Sequence, residues 1–395
     1  MKKQVLVATG LFILVGVCAL WIYLLVFGVP KDTNDIFADF GFPVARNDGQ
    51  AGDTLANQEN SSTVAVSNAE KLSQLTLRPV AGWQTLTISS TTEAVVYAEQ
   101  GTGHIYEINI NTGAEERIDG TTVPGTKSTI FSPDGKTVVF ISDTEGKNRV
   151  YVRSINTSSE DAGYISTELP PNASNVSFSG TKTLNYTLAD ADGSAGYEYN
   201  LTNNSQTVIF NVPFKEIAVI WSSDGTYLYN KPAPDLRGSL YKLNGNKLAS
   251  LTDSAYNLVA TKQDLGSIFA YTKADIFADK LVGYALVNGE ETELPLIVVP
   301  EKCTFSNKEL YQMWCALPVK NDYERDSLTN WYKGTEKNED LIWNYDIAGG
   351  SATLLDDLTE ISGRNIDVDN ITTNASEDKL YFRNKNDNTL WLYNL

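Results

Sequence analysis

The amino-acid sequence predicts an all-β fold of seven four-stranded blades set in a ring, because a hairpin motif, its recurrence at blade length and two complementary chain ends all agree. The motif is Thr129 to Ser142, TIFSPDGKTVVFIS. Its β-branched and apolar residues favour extended backbone, while Pro133 presets its own φ and Gly135 can take the positive φ of a tight reversal. A lone hairpin is marginal, but this one recurs. With Ser132 as reference, anchors fall at Ser89, Ser179, Ser222, Thr261, Ser306 and Thr373. An aromatic residue follows each anchor seven or eight positions later: Tyr97, Phe140, Tyr186, Tyr229, Phe269, Trp314 and Tyr381. Successive anchors lie 39 to 47 residues apart, except for a final interval of 67.

The chain ends supply the third observation. Lys71-Leu72-Ser73-Gln74-Leu75-Thr76 has the pattern of Lys247-Leu248-Ala249-Ser250-Leu251-Thr252, the outermost strand of the fourth repeat. The last repeat has three strands, through Thr389 to Tyr393, and then the chain stops. Each end holds what the other lacks, so pairing them closes the ring and removes an open sheet edge. Seven anchors give a seven-bladed β-propeller, with six or eight blades left open by the weaker turns at Ser179 and Ser306.

Three regions precede or make up this ring. Lys2 and Lys3 lead an uncharged run from Val5 to Val29. As a helix it would reach roughly 37 Å, beyond a hydrocarbon core of about 30 Å, so residues 1–29 are expected to be a retained transmembrane helix with a cytoplasmic N-terminus. The competing reading is a cleaved signal peptide, whose apolar region would be shorter. Residues 30–69 are rich in Asp, Asn, Gln, Ser and Gly and read as a flexible linker. Its one apolar stretch, Ile36 to Pro43, is a candidate for docking at a surface. Residues 70–395 form the propeller domain, expected outside the cytoplasm.

Composition narrows the function classes. A net charge of -18, from 49 acidic and 31 basic residues, opposes generic binding to nucleic acid. The single histidine, His104, excludes a multi-histidine metal site within this chain and reads as an ordinary strand residue. Cys18 lies in the N-terminal apolar run, whereas Cys303 and Cys315 flank the anchor Ser306 on two strands of one hairpin. We expect those two to be bonded in an oxidising compartment, the alternative being two buried free thiols. Asp190-Ala191-Asp192-Gly193-Ser194 reads as a solvated turn in preference to a calcium loop, since it lacks the EF-hand glycine and glutamate placement. No Gly-x-Ser-x-Gly, Walker or dinucleotide glycine loop occurs, and no cofactor or metal is expected.

Phe131 to Lys136, FSPDGK, and Trp221 to Thr226, WSSDGT, resemble the repeats of TolB-type β-propellers, where such a turn joins the first two strands of a blade. The block holding Cys303, Cys315 and Trp331-Tyr332-Lys333-Gly334 is weakly similar to uncharacterised membrane-anchored propellers of candidate-phylum bacteria. The resemblance implies a protein of the cell envelope.

Loop length points to one face. The longest connection, Pro318 to Asp340, explains most of the 67-residue interval and carries Tyr323, Arg325, Trp331, Tyr332 and Lys333, types enriched at binding hot spots. Equally, the insertion could fold onto its own blade with Trp331 as a buried plug. The function expected first is a non-enzymatic, single-pass, membrane-anchored propeller that binds an envelope protein or a glycan through this face. Its rival is a glycan-active hydrolase or lyase that gathers carboxylates at the channel, which linear sequence hides.

Overall fold

The computed structural model describes residues 71–89, 92–144, 147–155, 166–233, 235–275, 277, 279–318 and 323–395. The expected membrane span at 5–29, the linker and Cys18 lie outside the described residues. Among the described residues no helix is long and apolar enough to cross a membrane.

Seven four-stranded antiparallel sheets form the blades. Their first strands are Val80–Ser89, Thr126–Phe131, Ser174–Phe178, Ile217–Ser222, Val259–Gln263, Cys303–Phe305 and Val368–Thr373, here numbered blades 1 to 7. First strands touch one another from blade 1 through blade 4 and from blade 5 through blade 7, which makes the first strands the inner wall of the ring. Gly82 shows how close that approach is: a Cβ at this position would lie 2.1 Å from the Thr129 carbonyl oxygen. The seven aromatic residues of the repeat all fall on second strands and all are buried. Tyr97 and Tyr381 pack together with Leu75, Leu390 and Leu392 in the layer between blades 7 and 1.

Local chemistry explains the motif turn. Ser132 Oγ donates to Asp134 Oδ1 at 2.6 Å and accepts from the Thr137 amide at 2.9 Å. Gly135 has φ 66°, a left-handed conformation that a side chain would oppose. Ser222 and Asp224 repeat the first of these bonds at 2.9 Å. Cys303 and Cys315 are register partners across the first two strands of blade 6 and are disulfide-bonded, with Cα atoms 4.1 Å apart. Asp190 Oδ1 accepts from the Asp192 and Gly193 amides at 2.8 and 3.0 Å, so that sequence forms a self-satisfied turn.

The ends of the propeller meet as their sequences require. Leu72–Gln74 forms the outer strand of blade 7 and pairs antiparallel with Leu390–Asn394, Leu72 opposite Tyr393. Leu390 is bonded from both sides of the seam: Leu75 N donates to Leu390 O at 2.8 Å, and Leu390 N donates to Thr76 Oγ1 at 3.0 Å. Leu75 is 2 % exposed, and its burial alone is worth about 2 kcal/mol. Deleting Lys71 to Leu77 should therefore lower the thermal midpoint far more than deleting Pro30 to Ala69. Equal midpoints for the two deletions in parallel melts would rule out closure as a source of stability.

Candidate functional site

Strand direction alternates within each blade, so second-to-third loops and inter-blade connections share one face of the ring. The 318–340 insertion of blade 6 lies on that face. Sequence reading treats the whole stretch as loop, but Ser327–Tyr332 is helical. Leu328, Thr329 and Trp331 are its buried residues, so burial of this short face substitutes for intrinsic helix stability. Blade 5 holds the insertion from one side. Leu281 N donates to Tyr323 O at 2.9 Å, and Asn257 Nδ2 donates to Arg325 O at 2.7 Å.

Blades 6 and 7 hold it from the other side through a buried ionic knot. Lys302, wholly buried in the connection between blades 5 and 6, donates to Asp340 and, at 2.6 Å, to Asp367. Asp367 Oδ1 also accepts from the Trp331 indole at 2.8 Å, and Asp340 Oδ2 accepts from the Val368 amide at 2.7 Å. Lys385 of blade 7 stands 3.4 Å from the Trp331 ring centroid and donates to the Trp331 carbonyl at 2.5 Å. The knot joins one cation to two carboxylates. Asp340 Oδ1 has no hydrogen-bond partner, and burial together with the Asp367 charge, opposed by Lys302, pushes the Asp340 carboxyl up to about 7.

The five residues singled out in the sequence differ in burial, from buried Trp331 to exposed Lys333. Trp331 is 4 % exposed and belongs to the knot. Tyr332 is partly exposed, and its hydroxyl donates to Glu301 at 2.6 Å. Arg325 Nε lies 3.5 Å from Asp326 and 3.8 Å from Asp279. Lys333 is exposed at the helix C-terminus, where its amide donates to Thr329 O at 3.1 Å. Tyr323 is half-buried and lines two cavities, of about 480 and 200 Å³. Its hydroxyl is buried without a hydrogen-bond partner.

The larger cavity lies between the insertion and the connection to blade 7. Ser327, Asn338, Glu339, Asp357 and Asn365 supply polar groups, and Pro318 and Leu341 supply apolar surface. Asn365 Nδ2 donates to Glu339 Oε1 at 2.9 Å, while Asp357 Oδ1 caps the helix Leu358–Ser362 through the Thr359 and Glu360 amides. Most of this wall is therefore preset before any ligand arrives. A second group gathers around Tyr332. The Glu301 carboxyl is raised by burial and by the Asp369 charge, against the opposing Tyr332 bond, and the Lys385 amine is lowered by burial. Glu301, Asp369, Lys385 and Lys302 escaped sequence reading because each sits at an inter-blade junction or a strand end with no motif around it.

The fold and these sites define a seven-bladed β-propeller. Among solved structures it is similar to the oligogalacturonate lyase of Vibrio parahaemolyticus, with TM-score 0.54 and 13% identity over 85% of this chain and 96% of that one. It is also similar to an oligogalacturonate lyase in complex with manganese, with TM-score 0.52 and 11% identity over 82% of this chain and 93% of that one. No protein-family model matches the chain, and no curated protein matches it. The likenesses show the fold. Among the described residues no group of three His, Cys, Asp or Glu is placed to hold a metal ion.

The knot makes stability depend on pH with a definite sign. Between an unfolded value near 4 and the folded value of about 7, the folded chain binds a proton at Asp340 that the unfolded chain has released. Stability from this group is therefore highest in acid and falls as pH rises to about 7. Thermal melts from pH 5 to 8 should show this decline in the wild type and a flatter profile in Asp340→Asn; parallel profiles would remove Asp340 as its source.

Proposed function

We propose that this chain is a single-pass, membrane-anchored propeller of the TolB type that works outside the cytoplasm and binds a glycan of the cell envelope through the cavity beneath the 318–340 insertion. The observation that carries the reading is the cavity itself. At about 480 Å³ it falls in the range of small-ligand sites, and its wall mixes carboxylate, amide and hydroxyl groups with an apolar surface. Sugar hydroxyls both donate and accept, so they match such a wall. Trp331, the largest aromatic of the insertion, is inside the molecule and is not available as an anchor for a protein partner. The uncharged run Val5 to Val29 supports anchoring, and the Cys303–Cys315 disulfide supports an oxidising compartment.

The binding test uses the full chain in detergent micelles, screened against envelope oligosaccharides and followed by calorimetry. Ser327→Trp, which fills the cavity, should weaken binding at least about tenfold, equivalent to about 1.4 kcal/mol, without changing the melting midpoint. Unchanged affinity would sink the site. A crosslinked pull-down in which the intact chain captures one protein, and a version with Val319 to Asn338 replaced by a Gly-Ser linker does not, would move the reading to a protein partner.

A glycan-active enzyme is the second reading, favoured by the group at Tyr332. Glu301 is raised and Lys385 lowered, the directions that suit acid–base work near neutral pH. Asp369 is the neighbouring carboxylate, and two fold neighbours carry the name oligogalacturonate lyase. On this reading Glu301→Gln should slow oligosaccharide cleavage by about a hundredfold or more. Wild-type protein that leaves every oligosaccharide intact would exclude it.

A further inference from the structure

The inner strands of blades 7, 1 and 2, with Arg383 from the second strand of blade 7, line a separate open cavity of about 300 Å³; its other lining residues include Trp83, Gln84, Ser128, Thr129 and Asn370. Three of these residues each hold a buried polar atom with no hydrogen-bond partner in the structure: Trp83 Nε1, Thr129 Oγ1 and Arg383 Nε. An indole N–H and a guanidinium Nε–H can only donate. A buried donor left unmatched costs about 1–3 kcal/mol, so three unmatched groups in one wall call for an acceptor.

The backbone around the cavity is irregular on all three sides. Strand register shifts between Val80 and Gly82 in blade 1, between Thr126 and Ser128 in blade 2, and between Asp369 and Thr372 in blade 7. In blade 7 the shift contains Asn370, at φ 54°. Blade 3, next in the ring, has a like shift between Ser174 and Ser177 around Asn175 at φ 49°, whereas the inner strands of blades 4, 5 and 6 pair with their second strands without one. Bulges re-aim side chains and gather next to binding and active sites. Charge narrows the ligand further. Arg383 is the one charged side chain in the lining, and its Nη2 is already paired with Asp369. An anion would enter beside that carboxylate, and a cation would meet the guanidinium.

We infer that this channel cavity is a second ligand site, for a neutral saccharide whose hydroxyl or carbonyl oxygens accept hydrogen bonds from Trp83, Thr129 and Arg383. The site is independent of the cavity beneath the insertion, and so is its test. Full chain labelled with ¹⁵N-tryptophan is held in micelles, and the Trp83 indole resonance is assigned by its loss in Trp83→Phe. N-acetylglucosamine, glucose and acetate are then titrated separately. A neutral sugar should move the Trp83 resonance saturably, Thr129→Val should weaken that titration about fivefold, the effect of one net hydrogen bond, and Ser327→Trp should leave it unchanged. The inference is overturned by a resonance that neither sugar moves, by acetate moving it where the sugars do not, or by a Thr129→Val titration identical to wild type. Because Val closely matches the shape of Thr, the variant tests the hydroxyl with little disturbance of the strand.

Discussion

A ring of stacked sheets holds together only if its last interface is as complete as the others, and here that depends on three residue pairs between Leu72–Gln74 and Leu390–Asn394. Without them the outer strand of blade 7 is missing, and the Leu390–Asn394 ladder is left as a free edge. Leu75 would also leave the apolar layer it shares with Tyr97 and Tyr381. Each blade buries its aromatic second strand against neighbours. An opened seam would therefore expose apolar surface on both flanking blades, not merely unpaired backbone.

The Lys302 knot plays a different part. Removing two carboxylates and an ammonium from water is costly, and a buried ion pair seldom exceeds a well-packed apolar replacement in stability. Its consequence is positional. By joining Asp340 at one end of the insertion, Asp367 at the entry to blade 7, and Trp331 on the short helix, it holds the insertion against the ring. The wall of the larger cavity inherits that rigidity, since Asn338 N donates to Asp367 Oδ2 from the same segment. Lys385 completes the enclosure over the Trp331 ring. A ligand in this cavity would meet groups already ordered, which lowers the entropic cost of binding.

The two cavities are built by different means. One lies under an added loop, where side chains from Ser327 to Asn365 supply mixed polarity. The other lies along the inner wall, where Trp83, Thr129 and Arg383 hold polar atoms without hydrogen-bond partners. The Glu301 and Tyr332 pair forms a third polar feature, with neighbours drawn from blades 6 and 7. This division of labour suits a propeller, whose repeated core tolerates variation at loops and along the channel.

What the amino-acid sequence determined by itself was everything carried by local, repeated chemistry. The Ser132-Pro133-Asp134-Gly135 turn closes through its own side chains, and the aromatic residue seven or eight places after each anchor marks a buried second strand. Complementary ends announced the closure, and cysteines on facing strands announced the disulfide. The tertiary structure decided what depends on residues far apart in the chain. Trp331 reads equally as a binding residue or a buried plug until Asp367 and Lys385 come to meet it from blade 7. Lys302, Asp340 and Asp367 are unremarkable surface types in isolation, and only the junction of two blades buries them together. The same holds for Trp83, Thr129 and Arg383, which lie in blades 1, 2 and 7. A strand pattern records which side chains alternate in and out, but not which blades will face one another across a channel, because that geometry exists only after the ring has closed.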